Sequence, residues 1–200
     1  MIKMLLVGLM FLVNIAYASE FQFGYSATNG SHVGVYKNVI PFKWKELDIT
    51  PSQKYVDSKE GSVINLVMEV KKDFQNKWDL FSALDYTNDE VLLISDRLDY
   101  KVGFGYDLLS DSSNLHKISY ALVYRSGDLL NSFRYKYVHS GIFYNTKTVI
   151  YVITPTEEVS ADFSTDFRIY SGASFSVNNS YKFLNNNMSY VSTAGIKLIY

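Results

Sequence analysis

The sequence predicts an all-β protein: a single up-and-down antiparallel transmembrane β-barrel of about ten strands, with eight or twelve as the alternatives. Three observations carry that reading. Long stretches alternate apolar and polar residues with period 2, aromatic side chains are abundant (17 Tyr and 13 Phe against 2 Trp), and only 3 prolines occur in 200 residues. Aromatic and β-branched residues favour strands, whereas proline has no N–H to give to a ladder and stays out of central strands. No stretch after residue 18 holds the roughly 18 consecutive apolar residues of a membrane helix. Any crossing of a bilayer therefore falls to strands.

The chain opens "MIKMLLVGLMFLVNIAYASE", with Lys3 in a short basic region, an apolar run from Met4 to Val13, and Ala16 and Ala18 spaced as a small-x-small cleavage site. Residues 1–18 read as a cleaved secretory signal, leaving 19–200 as one barrel domain. The apolar run of roughly 10–12 residues is too short to anchor as a helix, which needs about 20. Net charge is −1, so nothing points to nucleic acid, and cysteine is absent. That absence excludes disulfides, thiol catalysis and Cys-ligated metal.

Strands are expected at 20–28 and 33–47, followed by a polar connection at 48–60. The next, 61–74, sets Ile64, Leu66, Met68 and Val70 against Asn65, Glu69 and Lys71, and another follows at 77–87. The clearest is 95–109, where Leu98, Tyr100, Val102, Phe104, Tyr106 and Leu108 oppose Arg97, Asp99, Lys101, Gly103, Gly105 and Asp107. Further strands are read at 116–126, 130–139, 142–154, 162–183 and 188–200. Turn signals separate them, among them Ser126-Gly127-Asp128, Ser140-Gly141, Pro155 to Ser160 and Asn185 to Asn187.

Period 2 alone is nearly symmetric between two architectures. A soluble periplasmic barrel would turn the apolar face inward, with Phe104, Tyr106 and Phe175 around an apolar ligand; a membrane barrel would turn it toward lipid and put the charges in the lumen. Three features favour the membrane barrel. Tyr86, Tyr100, Tyr137, Tyr181 and Tyr200 sit near strand ends, as interfacial girdles require. The polar faces mix both signs of charge, and Arg97, Asp99, Lys101, Asp107, Arg125, Arg134, Asp166 and Arg168 are the expected lumen network. The third feature is the C-terminal strand "MSYVSTAGIKLIY", which resembles the assembly signal of bacterial outer-membrane barrels through Tyr190, Ile196, Leu198 and the terminal Tyr200. The resemblance implies a Gram-negative outer membrane, with its lipids and the barrel-assembly machinery as partners.

A narrower resemblance rests on Arg97, Tyr100, the Gly103-Phe104-Gly105-Tyr106 strand, Ser132-Phe133-Arg134, and Pro155 ahead of Asp166-Phe167-Arg168. Over roughly residues 60–200 the chain resembles the DUF481 family of small outer-membrane barrels, described as salt-stress-induced. That resemblance implies a barrel without known activity and a role in envelope integrity or salt response.

Little in the sequence points to catalysis, and no cofactor or metal is expected. His32, His116 and His139 are scattered, without a second ligand at metal spacing. His139-Ser140 invites comparison with lipid A deacylases, in which one residue separates the His from the Ser; adjacent residues on a strand point to opposite faces. A lipid-modifying outer-membrane enzyme and a soluble ligand-binding barrel stand as the alternatives to a non-enzymatic outer-membrane protein.

Overall fold

The computed structural model describes the backbone of residues 18–26, 31–58, 61–74, 77–90, 92–170, 172–184 and 187–199, and side chains from Gly34 to Lys197 within those ranges, except those of Ser58 and Asn187. The strands are β1 (Ala18–Ser26), β2 (Ser31–Val39), β3 (Phe42–Trp44), β4 (Leu47–Ser58), β5 (Gly61–Phe74), β6 (Trp78–Asp89) and β7 (Ile94–Ser110), then β8 (Asn114–Arg125), β9 (Asp128–Ser140), β10 (Tyr144–Thr154), β11 (Glu158–Tyr170), β12 (Ala173–Leu184) and β13 (Asn187–Ile199). All pairings are antiparallel, and each strand pairs with its chain neighbours except β2 and β3, which both pair with β4. The ring closes where β1 pairs with both β2 and β13 and β2 pairs with β4. Closure satisfies the backbone groups that an edge strand would leave bare.

The barrel has twelve staves, because β2 and β3 are one stave with a break. Both keep a single register against β4, Val39 opposite Ser52 and Phe42 opposite Ile49. Between them the Ile40 N–H donates to the Pro51 carbonyl at 3.0 Å, and Pro51 has no N–H to return. The ladder lapses for two residues and resumes.

Twelve staves correct the count of about ten in two places. The stretch 48–60 is not a connection: β4 runs through it, its outward residues Ile49 and Tyr55 diluted by Pro51 and Gln53. The stretch 162–183 is not one strand but the hairpin β11–β12. A register shift between Arg168 and Tyr170 beside the tight turn at Gly172, φ 93°, keeps odd-numbered residues outward on both arms. The alternation thus passes through the turn without a break in phase.

Other expected turns also move. Ser140 ends β9 and Tyr144 begins β10, so that turn shifts to 141–143, and Glu158 begins β11, so the turn at Pro155 is shorter than the sequence suggested. The turn at Ser126 and Gly127 has positive φ at both residues, 50° and 100°, the two-residue hairpin that the strand twist favours. Residues 1–17, 185–186 and Tyr200 lie outside the described residues, so the expected signal segment, apart from Ala18 where β1 begins, and the terminal aromatic are not placed.

Even-numbered residues of β7 and β8 face outward, as do odd-numbered residues of β9, β11 and β12. Phe104 and Phe175 are 42% and 41% exposed on that outer face, and Tyr106 shares it, its ring tilted against Trp78 with centroids 4.6 Å apart. This overturns the soluble reading that placed the three around an inner ligand. The outer surface is an apolar band that includes Leu80, Leu84, Leu98, Phe133, Ile150 and Ile196. Polar aromatics ring its ends: Tyr181 stacks on Tyr190 at 4.5 Å, the Tyr86 hydroxyl donates to Asp96 at 2.6 Å, and His116 bonds the Tyr135 hydroxyl at 2.8 Å.

The rim where β1 starts and β13 ends is called proximal below, and the opposite rim distal.

Candidate functional site in the lumen

The lumen is lined by the polar faces, and its charges meet in two ways. Some pairs lie along the wall. Lys101 donates to Asp85 from the adjacent strand at 2.8 Å, and Arg125 bonds both oxygens of Asp99 at 2.8 Å and 2.7 Å. Two more pairs reach over one intervening strand. Lys117 of β8 meets Asp79 of β6 above Gly105 of β7, and Lys197 of β13 reaches Asp166 of β11 at 2.7 Å above Ser176 of β12. The bridged residue has to be small. A Cβ on Gly105 would sit 2.5 Å from Lys117 Cε and 2.8 Å from an Asp79 oxygen, so glycine at this position makes room for charge.

Other pairs cross the interior. Glu158 of β11 accepts from Arg97 of β7 at 3.0 Å and from Arg125 of β8 at 3.0 Å, bridging over β9 and β10. Arg134 of β9 reaches Glu69 of β5 at 3.3 Å and places its guanidinium 5.2 Å from the Phe81 ring centre. Lys182 of β12 reaches Asp89 of β6 at 3.4 Å, and these strands stand opposite each other in the ring. Beside the Glu158 bridges, with Ile153 the ladder partner of Glu158, Val123, Leu130 and Ile153 form a buried apolar cluster inside the lumen, joined by Tyr151.

A cavity of about 240 Å³ remains, lined among others by Glu69, Arg134, Asp85, Lys101, Tyr151 and Asp162. Ser119 Oγ and Arg134 Nε are buried there with no hydrogen-bond partner. Buried polar groups of this kind ordinarily meet water or solute.

Of the residues expected in the lumen network, Arg97, Asp99 and Arg125 converge with Glu158 near the distal rim. Lys101 joins Asp85, Arg134 joins Glu69, and Asp107 and Asp79 share Lys117. Asp166 takes Lys197 and a hydrogen bond from Ser176 at 2.5 Å. Arg168 stands apart: it is exposed at the proximal end of β11, without a charged partner among the described residues. Sequence reasoning missed Glu158, the acceptor that unites two arginines, because Pro155 to Ser160 reads as a turn. It missed Asp79, Asp89 and Lys182 because their partners lie 38 and 93 residues away, and no local pattern signals such distances.

The structure places the two described histidine side chains apart from the lumen charges. His139 bonds Asn114 Oδ1 at 3.0 Å on the outer face near the proximal rim, and the Ser140 N–H is spent on the Ser113 carbonyl at 2.7 Å. Being adjacent on β9, the two side chains leave opposite faces. His32 lies outside the described side chains. Among the described residues no cluster of three His, Asp or Glu could hold a metal ion. Of the C-terminal residues singled out, Tyr190 and Ile196 face outward, and Leu198 is paired opposite Ala173 and Ser19.

No family model matches the chain, and no curated protein does. Solved structures do match. The chain is similar to the NanC porin with a TM-score of 0.64 at 10% identity, covering 91% of this chain and 99% of that chain. It is similar to the KdgM porin with a TM-score of 0.62 at 5% identity, covering 92% and 99%. An outer membrane channel from Pseudomonas putida F1 gives 0.57 at 9% identity, covering 92% and 94%. At these identities the likeness is one of fold: the chain is an all-β, antiparallel barrel with the architecture of these porins.

Proposed function

We propose that the protein is a non-enzymatic outer-membrane channel for small hydrophilic solutes. The observation that carries this reading is the inversion of polarity across the wall, with an apolar, aromatic-ringed exterior and a lumen that holds charges and a cavity. Fold likeness to barrels called porins supports it by analogy. The apolar band calls for outer-membrane lipids around the barrel, and the C-terminal strand for insertion by the barrel-assembly machinery. Passage of ions and osmolytes is the physical link to the envelope or salt-response role implied by the DUF481 resemblance.

The test has two arms. Outer-membrane fractionation with gel mobility before and after boiling should show a heat-modifiable barrel, and proteoliposomes carrying it should swell in small sugars or salts. A protein that stays in solution without detergent sinks the membrane reading; a folded, inserted barrel whose liposomes swell neither as wild type nor with the ion pairs that cross the interior removed sinks the channel.

A further inference from the structure

We infer that the distal rim is a closed gate, latched by Lys182–Asp89 and by Glu158 clasped between Arg97 and Arg125, and that these pairs rather than the barrel wall set the conductance. The inference deepens the channel reading and rests on it.

Ring position separates structural pairs from gating ones. A pair on adjacent or next-adjacent strands, such as Asp85–Lys101 or Asp166–Lys197, hugs the wall and leaves the axis open. Lys182 and Asp89 sit on strands six apart in a ring of twelve, so a contact of 3.4 Å between them crosses the full bore. Glu158 meets Arg97 four strands away at 3.0 Å. Asp89 and Lys182 lie at or near the distal ends of β6 and β12, Arg125 ends β8, Glu158 begins β11, and Arg97 lies near the start of β7. Both crossings therefore belong to one layer at one rim, whereas Arg134–Glu69, also four strands apart, crosses deeper, at the cavity. The carboxylates in it are nearly dry, with Asp89 and Glu158 side chains 6% and 5% exposed. Below the layer the cavity persists, which is the arrangement of a vestibule behind a door.

Latches made of charge differ from a plug made of packing. They part when a partner is shortened, and they re-form when its length and charge are restored. Conductance is governed by the narrowest section, so removing the crossing side chains should widen the path while the wall stays as it was.

The experiment is single-channel recording in planar bilayers on the full-length protein, each variant first checked for the heat-modifiable mobility of a folded barrel. The variants are wild type, Lys182→Ala combined with Glu158→Ala, the charge-conserving Lys182→Arg, and Lys72→Ala, whose partner Glu46 lies outside the lumen at the proximal turn. Should the alanine pair fail to fold, Lys182→Ala alone takes its place. Expected is a conductance about twofold or more above wild type for the alanine variant, near wild type for Lys182→Arg and for Lys72→Ala. A silent wild type with a conducting alanine variant supports the gate equally. If wild type conducts and the alanine variant matches it, or if Lys72→Ala rises as much, the gate is overturned and the channel stands. If folded, inserted wild type and alanine variant are both silent, the channel reading falls and takes the gate with it.

Discussion

Asp99, 1% exposed, accepts from Arg125 through both carboxylate oxygens, at 2.8 Å from Nε and 2.7 Å from Nη2. The two face each other across the β7–β8 ladder, so strand pairing fixes their geometry before either side chain moves. A side-by-side guanidinium and carboxylate is the strong form of the ion pair. Removing one partner of a buried pair leaves the other charge uncompensated, and Arg125 would keep only its bond to Glu158. Asp99→Ala should destabilise the barrel by about 3 kcal/mol in denaturant unfolding from lipid vesicles. Asp99→Asn, which keeps the shape and an acceptor, should lose less. A loss below about 0.5 kcal/mol for the alanine variant would mean the pair is solvated like an exposed one.

Two glycines separate packing from backbone freedom. A Cβ at Gly105 would press on Lys117 and Asp79, whereas one at Gly34 would meet nothing within 4 Å. Gly105→Ala should cost about 1–3 kcal/mol by overpacking. Gly34→Ala should be neutral or stabilise by up to about 1 kcal/mol, because it stiffens the unfolded chain. Equal effects at the two positions would show that the bridge above Gly105 is not what sets its size.

The period-2 alternation made the strand at 97–109 readable, because its outward residues meet one solvent and its inward residues another, and that difference is written in every second side chain. It failed at 48–60, where Pro51 mimics a turn and only Ile49 and Tyr55 advertise an outer face. It failed again at 162–183, where a bulge beside a tight turn preserved the phase across a hairpin. Within the lumen, sequence could say that Arg97, Asp99 and Lys101 share a face. It could not say that Glu158 would reach two of the arginines or that Lys182 would face Asp89, since those meetings depend on ring closure. Closure is a property of all twelve staves.

The outer face gives a depth test of its solvent. Ile150 is outward near the middle of β10, and Leu129 is outward at the distal end of β9, 65% exposed. In a bilayer Ile150→Arg should cost about 2–4 kcal/mol and Leu129→Arg about 0–1 kcal/mol. Unfolding from vesicles of matched thickness measures both. Small and equal losses would mean that this face meets water.

Asp111, in the proximal turn between β7 and β8, ties that turn to pH. Its Oδ1 accepts the N–H groups of Ser113 at 2.8 Å and Asn114 at 2.7 Å. Those backbone donors favour the ionised form and hold its carboxyl below the ordinary value of 3.8, with the Asn114 side chain adding to the effect. A carboxylate whose pKa is depressed on folding contributes stability that is fully present above its unfolded value and is lost as pH falls through the folded one. The window is therefore below pH 3.8, and the turn should be indifferent to pH across the neutral range. In an NMR titration the Ser113 and Asn114 amide resonances should move together with a midpoint under that value. Asp111→Asn keeps an acceptor oxygen without the charge, so the turn should persist in it and the titration should vanish. A midpoint at or above 3.8 in the wild type would show that the turn does not recognise the charged form. The same titration in Asp111→Asn would assign it to another group.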